Sequence, residues 1–113
     1  MLEKGFRLTK NKEFDSVFKE GKSGYGRLLG IKIKKNDLQH NRYGLLLSTK
    51  VSKLATVRNK YKRRIKAILL EENKELKQGF DVVIIVFPLI LNKNYLEIKS
   101  EIKNILIKLK FYI

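Results

Sequence analysis

Phe80 to Phe87, FDVVIIVF, is nearly continuous in apolar residues. Such a run has no polar face to turn to water, so as a strand it is buried on both sides and belongs in a sheet interior. It is far too short to span a bilayer. Gln78-Gly79 breaks the chain before it, and Pro88, the only proline, ends it. Whatever else the chain does, it must build a sheet around this strand and cover it with helices.

The rest of the sequence supplies candidates. Phe14, Val17 and Phe18 fall at i, i+3 and i+4, which predicts a short helix over residues 10–20 with one apolar face. Thr9 or Asn11 can cap its start, and Gly21 can stop it. Gly24, Gly26 and Gly30 loosen the next segment. Leu28 to Lys34 reads as a strand, with Leu29, Ile31 and Ile33 opposite Lys32 and Lys34. A polar turn over residues 34–41 leads to a more buried strand, Tyr43 to Ser48, and the two strands are expected to pair as an antiparallel hairpin. Ser52 is the expected cap of a helix running to about Glu72. Asn94-x-x-Glu97 resembles a capping box and opens a last helix to about Lys110, with Ile98, Ile102, Ile105, Leu106 and Leu109 as its core stripe. The 52–72 helix connects two strands, which makes it a crossover, right-handed by default.

That crossover helix carries the strongest chemical signal. Lys50 to Lys66, KVSKLATVRNKYKRRIK, holds eight basic residues and no acid. Val57, Tyr61, Ile65, Ile68 and Leu69 form one helical stripe, so the segment docks by that stripe. Asn59, Lys62, Arg63 and Lys66 point away from it, and Arg58 and Arg64 flank it. Ordinary surface helices mix signs; this one does not. The whole chain carries a formal charge of +15 over 113 residues. Self-repulsion on that scale points to a polyanionic partner, nucleic acid before an anionic membrane surface. With 43% hydrophobic residues the chain can still bury a core, as one domain over residues 1–113. Cysteine is absent, and the N-terminal MLEKGFRLTKNKEF has no apolar core of a signal peptide. A soluble cytoplasmic protein is expected.

Catalytic candidates are few. His40 is the only histidine and sits in the polar turn, as a solvated loop residue would. Glu71 and Glu72 are neighbours on a helix and diverge. Asp81 opens a strand and reads as a surface or turn residue. No nucleophile–base set, phosphate-cradling glycine loop or metal-ligand cluster is apparent, so catalytic and metal residues are expected to be none. Binding candidates are plentiful. Arg58, Lys60, Lys62, Arg63 and Lys66 can neutralise phosphates, and Asn59 can donate and accept at once. Phe14 and Phe18 are either core or a surface on which unpaired bases stack, with Phe6, Tyr25 and Tyr43 weaker candidates of the same kind.

Several motifs in order resemble one family. Arg7-Leu8 leads into Phe14-x-x-Val17-Phe18; Arg42-x-Gly44-Leu45 and Ser48-x-Lys50 follow; Ala55-x-x-Arg58-Asn59-Lys60-x-Lys62-Arg63-x-x-Lys66 closes the set. Together they are similar to the protein component of bacterial ribonuclease P over nearly the whole chain, the last motif matching the family's basic signature helix. One position departs: the family usually carries arginine where this chain has Lys60, which keeps the charge and loses the planar fork. The resemblance implies an α+β fold, a small single-domain α/β sandwich of αβββαβα order similar to domain 2 of ribosomal protein S5. It also implies a left-handed βαβ crossover in place of the right-handed default. Catalytic groups are then expected on a partner RNA, with magnesium bound mainly by RNA and substrate. The protein helps that catalytic RNA bind precursor tRNA and magnesium while the holoenzyme removes the 5′ leader. Arg58, Asn59, Lys60, Lys62, Arg63 and Lys66 carry over as RNA contacts. Phe14, Val17 and Phe18 carry over as the leader-facing side of a cleft distinct from the basic helix.

Other readings predict a similar composition. A ribosomal or other structural RNA-binding protein would show the same charge and lack of catalytic residues. A DNA-binding regulator would want a partner helix just before Ser52, where the sequence reads as strand.

Overall fold

The computed structural model describes residues 4–113. Three helices and four strands follow one another as α1 (Asn11–Glu20), β1 (Lys22–Tyr25), β2 (Leu29–Lys35), β3 (Arg42–Leu46), α2 (Ala55–Glu72), β4 (Phe80–Val86) and α3 (Tyr95–Lys108). The strands form one mixed sheet in the order β1-β2-β4-β3. The apolar run is β4, and it occupies the interior as its composition requires, antiparallel to β2 and parallel to β3. The basic helix α2 is the crossover between the parallel pair β3 and β4.

The expected hairpin between the 28–34 and 43–48 strands does not form. β4 lies between them, because Val82, Val83 and Ile84 are wholly buried and an edge position would expose one side of their backbone. The hairpin is instead β1–β2, with Tyr25 opposite Gly30 and Lys22 opposite Ile33.

The sheet divides the apolar residues between two faces by the period of two. On one face, Leu29, Ile31, Ile33, Val82 and Ile84 pack with α2 and α3 in the main core. The predicted stripes of both helices meet there: Tyr61, Ile65, Ile68 and Leu69 from α2, and Ile98, Ile102, Ile105 and Leu106 from α3, all buried. On the other face a small cluster of Leu8, Val17 and Val83, with Phe14 and Ile85 against it, holds α1. Two helices on one side and one short helix on the other leave part of that second face open.

The helix ends differ from expectation in detail. α1 starts after Lys10, and the Glu13 carboxylate accepts from the backbone N–H groups of Thr9 (3.2 Å) and Lys10 (3.0 Å). α2 starts at Ala55, with Leu54 at the cap; Ser52 sits too early to cap it and accepts from Leu54 N–H instead (3.2 Å). The capping box of α3 is as predicted: Asn94 Oδ1 accepts from Glu97 N–H at 2.9 Å, and Glu97 Oε1 from Asn94 N–H at 3.2 Å.

Candidate nucleic-acid interface

α2 turns a row of cations outward. Asn59, Lys60 and Arg63 are exposed, and Arg58, Lys62 and Lys66 half-exposed. None of these six is in a salt bridge found among the described residues. The helix buries its stripe so firmly that these positions are fixed on a rigid support. Two arginines have structural duties as well. Arg58 donates to the Ser52 carbonyl (2.8 Å), which ties the helix start to the loop before it. Arg64 donates to the Lys93 carbonyl (3.1 Å) and lies 5.4 Å from the Tyr61 ring centre, which joins α2 to the loop before α3. Lys60, at the position where the resembled family has arginine, rests its ammonium 5.9 Å from the same ring.

The aromatic residues of α1 sort by depth. Val17 is wholly buried and offers nothing to a ligand; it anchors α1 to Val83. Phe14 is half-buried, and Phe18 is 37% exposed with the Lys32 ammonium 5.1 Å from its ring centre. Phe14 packs against Gly44: a Cβ built there would stand 2.5 Å and 2.6 Å from two ring carbons. Two residues earlier on β3, Arg42 ion-pairs with Glu13 of α1. It also grips Asp81 of β4 with two bonds, Nε to Oδ1 at 2.9 Å and Nη2 to Oδ2 at 2.8 Å. Asn36 donates to the same Asp81 (2.9 Å). Asp81, read from sequence as a surface or turn residue, is therefore a buried link in the brace that sets the α1–sheet angle. Burial pushes the Glu13 carboxyl up, but the N–H groups of Lys10 and Thr9 and the Arg42 charge outweigh it. The net effect holds Glu13 below its ordinary range.

The basic helix and the α1 cleft adjoin. Lys62 and Lys66 line one cavity of about 180 Å³ together with Leu8, Phe14, Gly44 and Leu45. Lys62 also reaches a second hollow over Leu46 and Ile85. Sequence separation suggested distinct surfaces; β3 at the sheet edge lets lysines from α2 reach around it. A larger cavity of about 580 Å³ lies elsewhere, between Arg27, Leu89 and the first half of α3, and none of the candidate residues lines it.

Chemistry beyond binding has no visible seat among the described residues. His40 Nε2 stands 2.9 Å from the Gly5 carbonyl oxygen, and its ring leans on Phe6. Among the described residues, no group of three or more His, Asp or Glu side chains is placed to hold a metal ion. Nor is any helix of the described residues long and apolar enough to cross a membrane. What the arrangement can do is present cations and aromatic faces to a phosphate-bearing strand.

A family model described as Ribonuclease P matches residues 2–110. The chain is 42% identical over 107 residues to the "Ribonuclease P protein component" of Clostridium botulinum, covering 94% of this chain and 96% of that one. It is 36% identical over 111 residues to the protein of the same description from Pseudanabaena, covering 97% and 96%. The solved structure of Staphylococcus aureus RNase P protein superposes with a TM-score of 0.87 at 25% identity, covering 96% of this chain and 98% of that chain.

Proposed function

Because the chain belongs to the ribonuclease P protein family, we propose that it acts as the protein subunit of that ribonucleoprotein, in removal of the 5′ leader from precursor tRNA. The observation that carries the mechanism is the continuity of the cationic face of α2 with the aromatic cleft of α1 through Lys62 and Lys66. Arg58, Asn59, Lys60, Lys62, Arg63 and Lys66 dock on the catalytic RNA by neutralising phosphates. Phe14 and Phe18 face the single-stranded leader, where flat rings receive unpaired bases without demanding a sequence. Val17 supports that face from beneath. The catalytic groups belong to the RNA. Magnesium serves the holoenzyme and is held mainly by RNA and substrate. Its setting is the cytoplasm.

The test is reconstitution. The protein is mixed with a ribonuclease P RNA and precursor tRNA, and leader removal is followed at low magnesium. The expected result is no cleavage by RNA-free protein and a marked gain over RNA alone. Magnesium-dependent cleavage by the protein alone would overturn the reading, as would the absence of any gain.

A further inference from the structure

The sheet face that carries α1 has a row of residues that the helix leaves partly open. Register across the four strands aligns Tyr25 of β1, Gly30 of β2, Ile85 of β4 and Leu46 of β3 on that face. Three interstrand spacings make the row about 14 Å long. It begins near Lys62, which shares a hollow with Leu46 and Ile85, and ends at Tyr25. Tyr25 is 53% exposed. One edge of its ring abuts Gly30, where a Cβ would stand 2.5 Å and 2.8 Å from two adjacent ring carbons. The missing side chain therefore lets the ring edge come down onto the sheet while most of the tyrosine stays exposed. Tyr25 is one strand outward and one row along from Lys32, the residue beneath Phe18. Aromatic surface, a cation and partly exposed apolar residues, Ile85 and Leu46, on one sheet face are what an unpaired nucleotide requires.

We propose that Tyr25 is a further base-stacking position, taking an unpaired nucleotide of the 5′ leader beyond the one received at Phe18. The inference rests on the leader-cleft reading above and extends it. A stacked strand advances about 3.4 Å per nucleotide, so about four nucleotides cover the row from Lys62 to Tyr25. A short leader would stop before the tyrosine and a longer one would reach it.

The test uses the reconstituted holoenzyme and precursor tRNAs whose leaders lengthen one nucleotide at a time. Binding is measured before cleavage for wild type, Tyr25→Ala, Tyr25→Leu, Tyr25→Phe and Phe18→Ala. For long leaders, Tyr25→Ala and Tyr25→Leu are expected to weaken binding by about 5-fold to 100-fold, the range of one base–aromatic stack. For short leaders and mature tRNA they should match wild type, and Tyr25→Phe should match it throughout. A loss in Tyr25→Ala that is equal for mature tRNA and every leader overturns the proposal. So does the absence of any loss, or a loss in Tyr25→Phe as large as in Tyr25→Ala. If Phe18→Ala shows leader dependence and Tyr25→Ala does not, the cleft reading stands and this extension falls. If neither does, the cleft reading falls with it.

Discussion

Arg42 and Gly44 lie two residues apart on β3 and face consecutive residues of α1, Glu13 and Phe14. One holds the helix by charge, the other by the absence of a side chain. A methyl at Gly44 would meet the Phe14 ring at 2.5 Å, well inside contact distance. Gly44→Ala should therefore push the ring outward and cost about 1–3 kcal/mol in urea unfolding, the usual range for overpacking. Its affinity for precursor tRNA should fall more than its affinity for mature tRNA. Arg42→Ala leaves Asp81 buried with only Asn36 beside it. A loss of about 2–3 kcal/mol is expected, less than for a fully enclosed pair because Arg42 keeps some exposure. Glu13 adds an acid limb. Its folded pKa is depressed, so its contribution is complete above the ordinary glutamate pKa of about 4.3 and fades as pH falls through the lower folded value. Glu13→Gln should flatten that limb in stability measured against pH between neutral and strongly acid solution.

Elements differ in how firmly they are held. α3 buries Ile98, Ile102, Ile105 and Leu106, whereas α1 buries only Val17. Beyond Val17 and the half-buried Phe14, the hold on α1 is polar: Arg42–Glu13, Lys34–Glu20 at 2.9 Å, and Lys34 with Ser16. Amide hydrogen exchange should accordingly be faster in α1 than in β4, α2 or α3, and added salt should widen the gap. The same contrast explains what could be read from sequence. β4, α2 and α3 were legible because each carries an unbroken local pattern, continuous for β4 and a helical stripe for the other two. β1, KSGY, has no apolar alternation and is strand only because β2 pairs with it. The pairing of β3 is not legible in the sequence, because local alternation names a strand but not its neighbour. Only the need to bury β4 on both sides decides that. At the site, the outward cations of α2 were readable from the wheel. Their contact with the α1 cleft was not, since it depends on β3 being an edge. Asp81 gave no signal, because its partner Arg42 is remote in sequence and meets it only through the β3–β4 register.

At the scale of the whole molecule, a charge of +15 makes association with RNA an electrolyte problem. Each phosphate neutralised releases counterions, and the slope of log K against log[salt] is about −0.7 per contact on single strands and −0.9 on duplex. Arg58, Lys60, Lys62, Arg63 and Lys66 alone then set a slope near −4, and further lysines could bring it to about −6. Binding of the catalytic RNA should be titrated at several salt concentrations. The Arg58/Lys62/Arg63 triple alanine variant should lose affinity most at low salt, with its slope flattened by about 2 to 3. Arg63→Ala is the cleanest single probe, because Arg63 is exposed whereas Arg58 also holds the Ser52 carbonyl. A loss of about 1–2 kcal/mol in RNA affinity with unchanged thermal stability is expected for it, the worth of a charge-assisted contact. Arg58→Ala should lose both affinity and some stability. An unaltered slope in the triple variant would mean that α2 faces solvent in the complex and that the charge acts elsewhere on the surface.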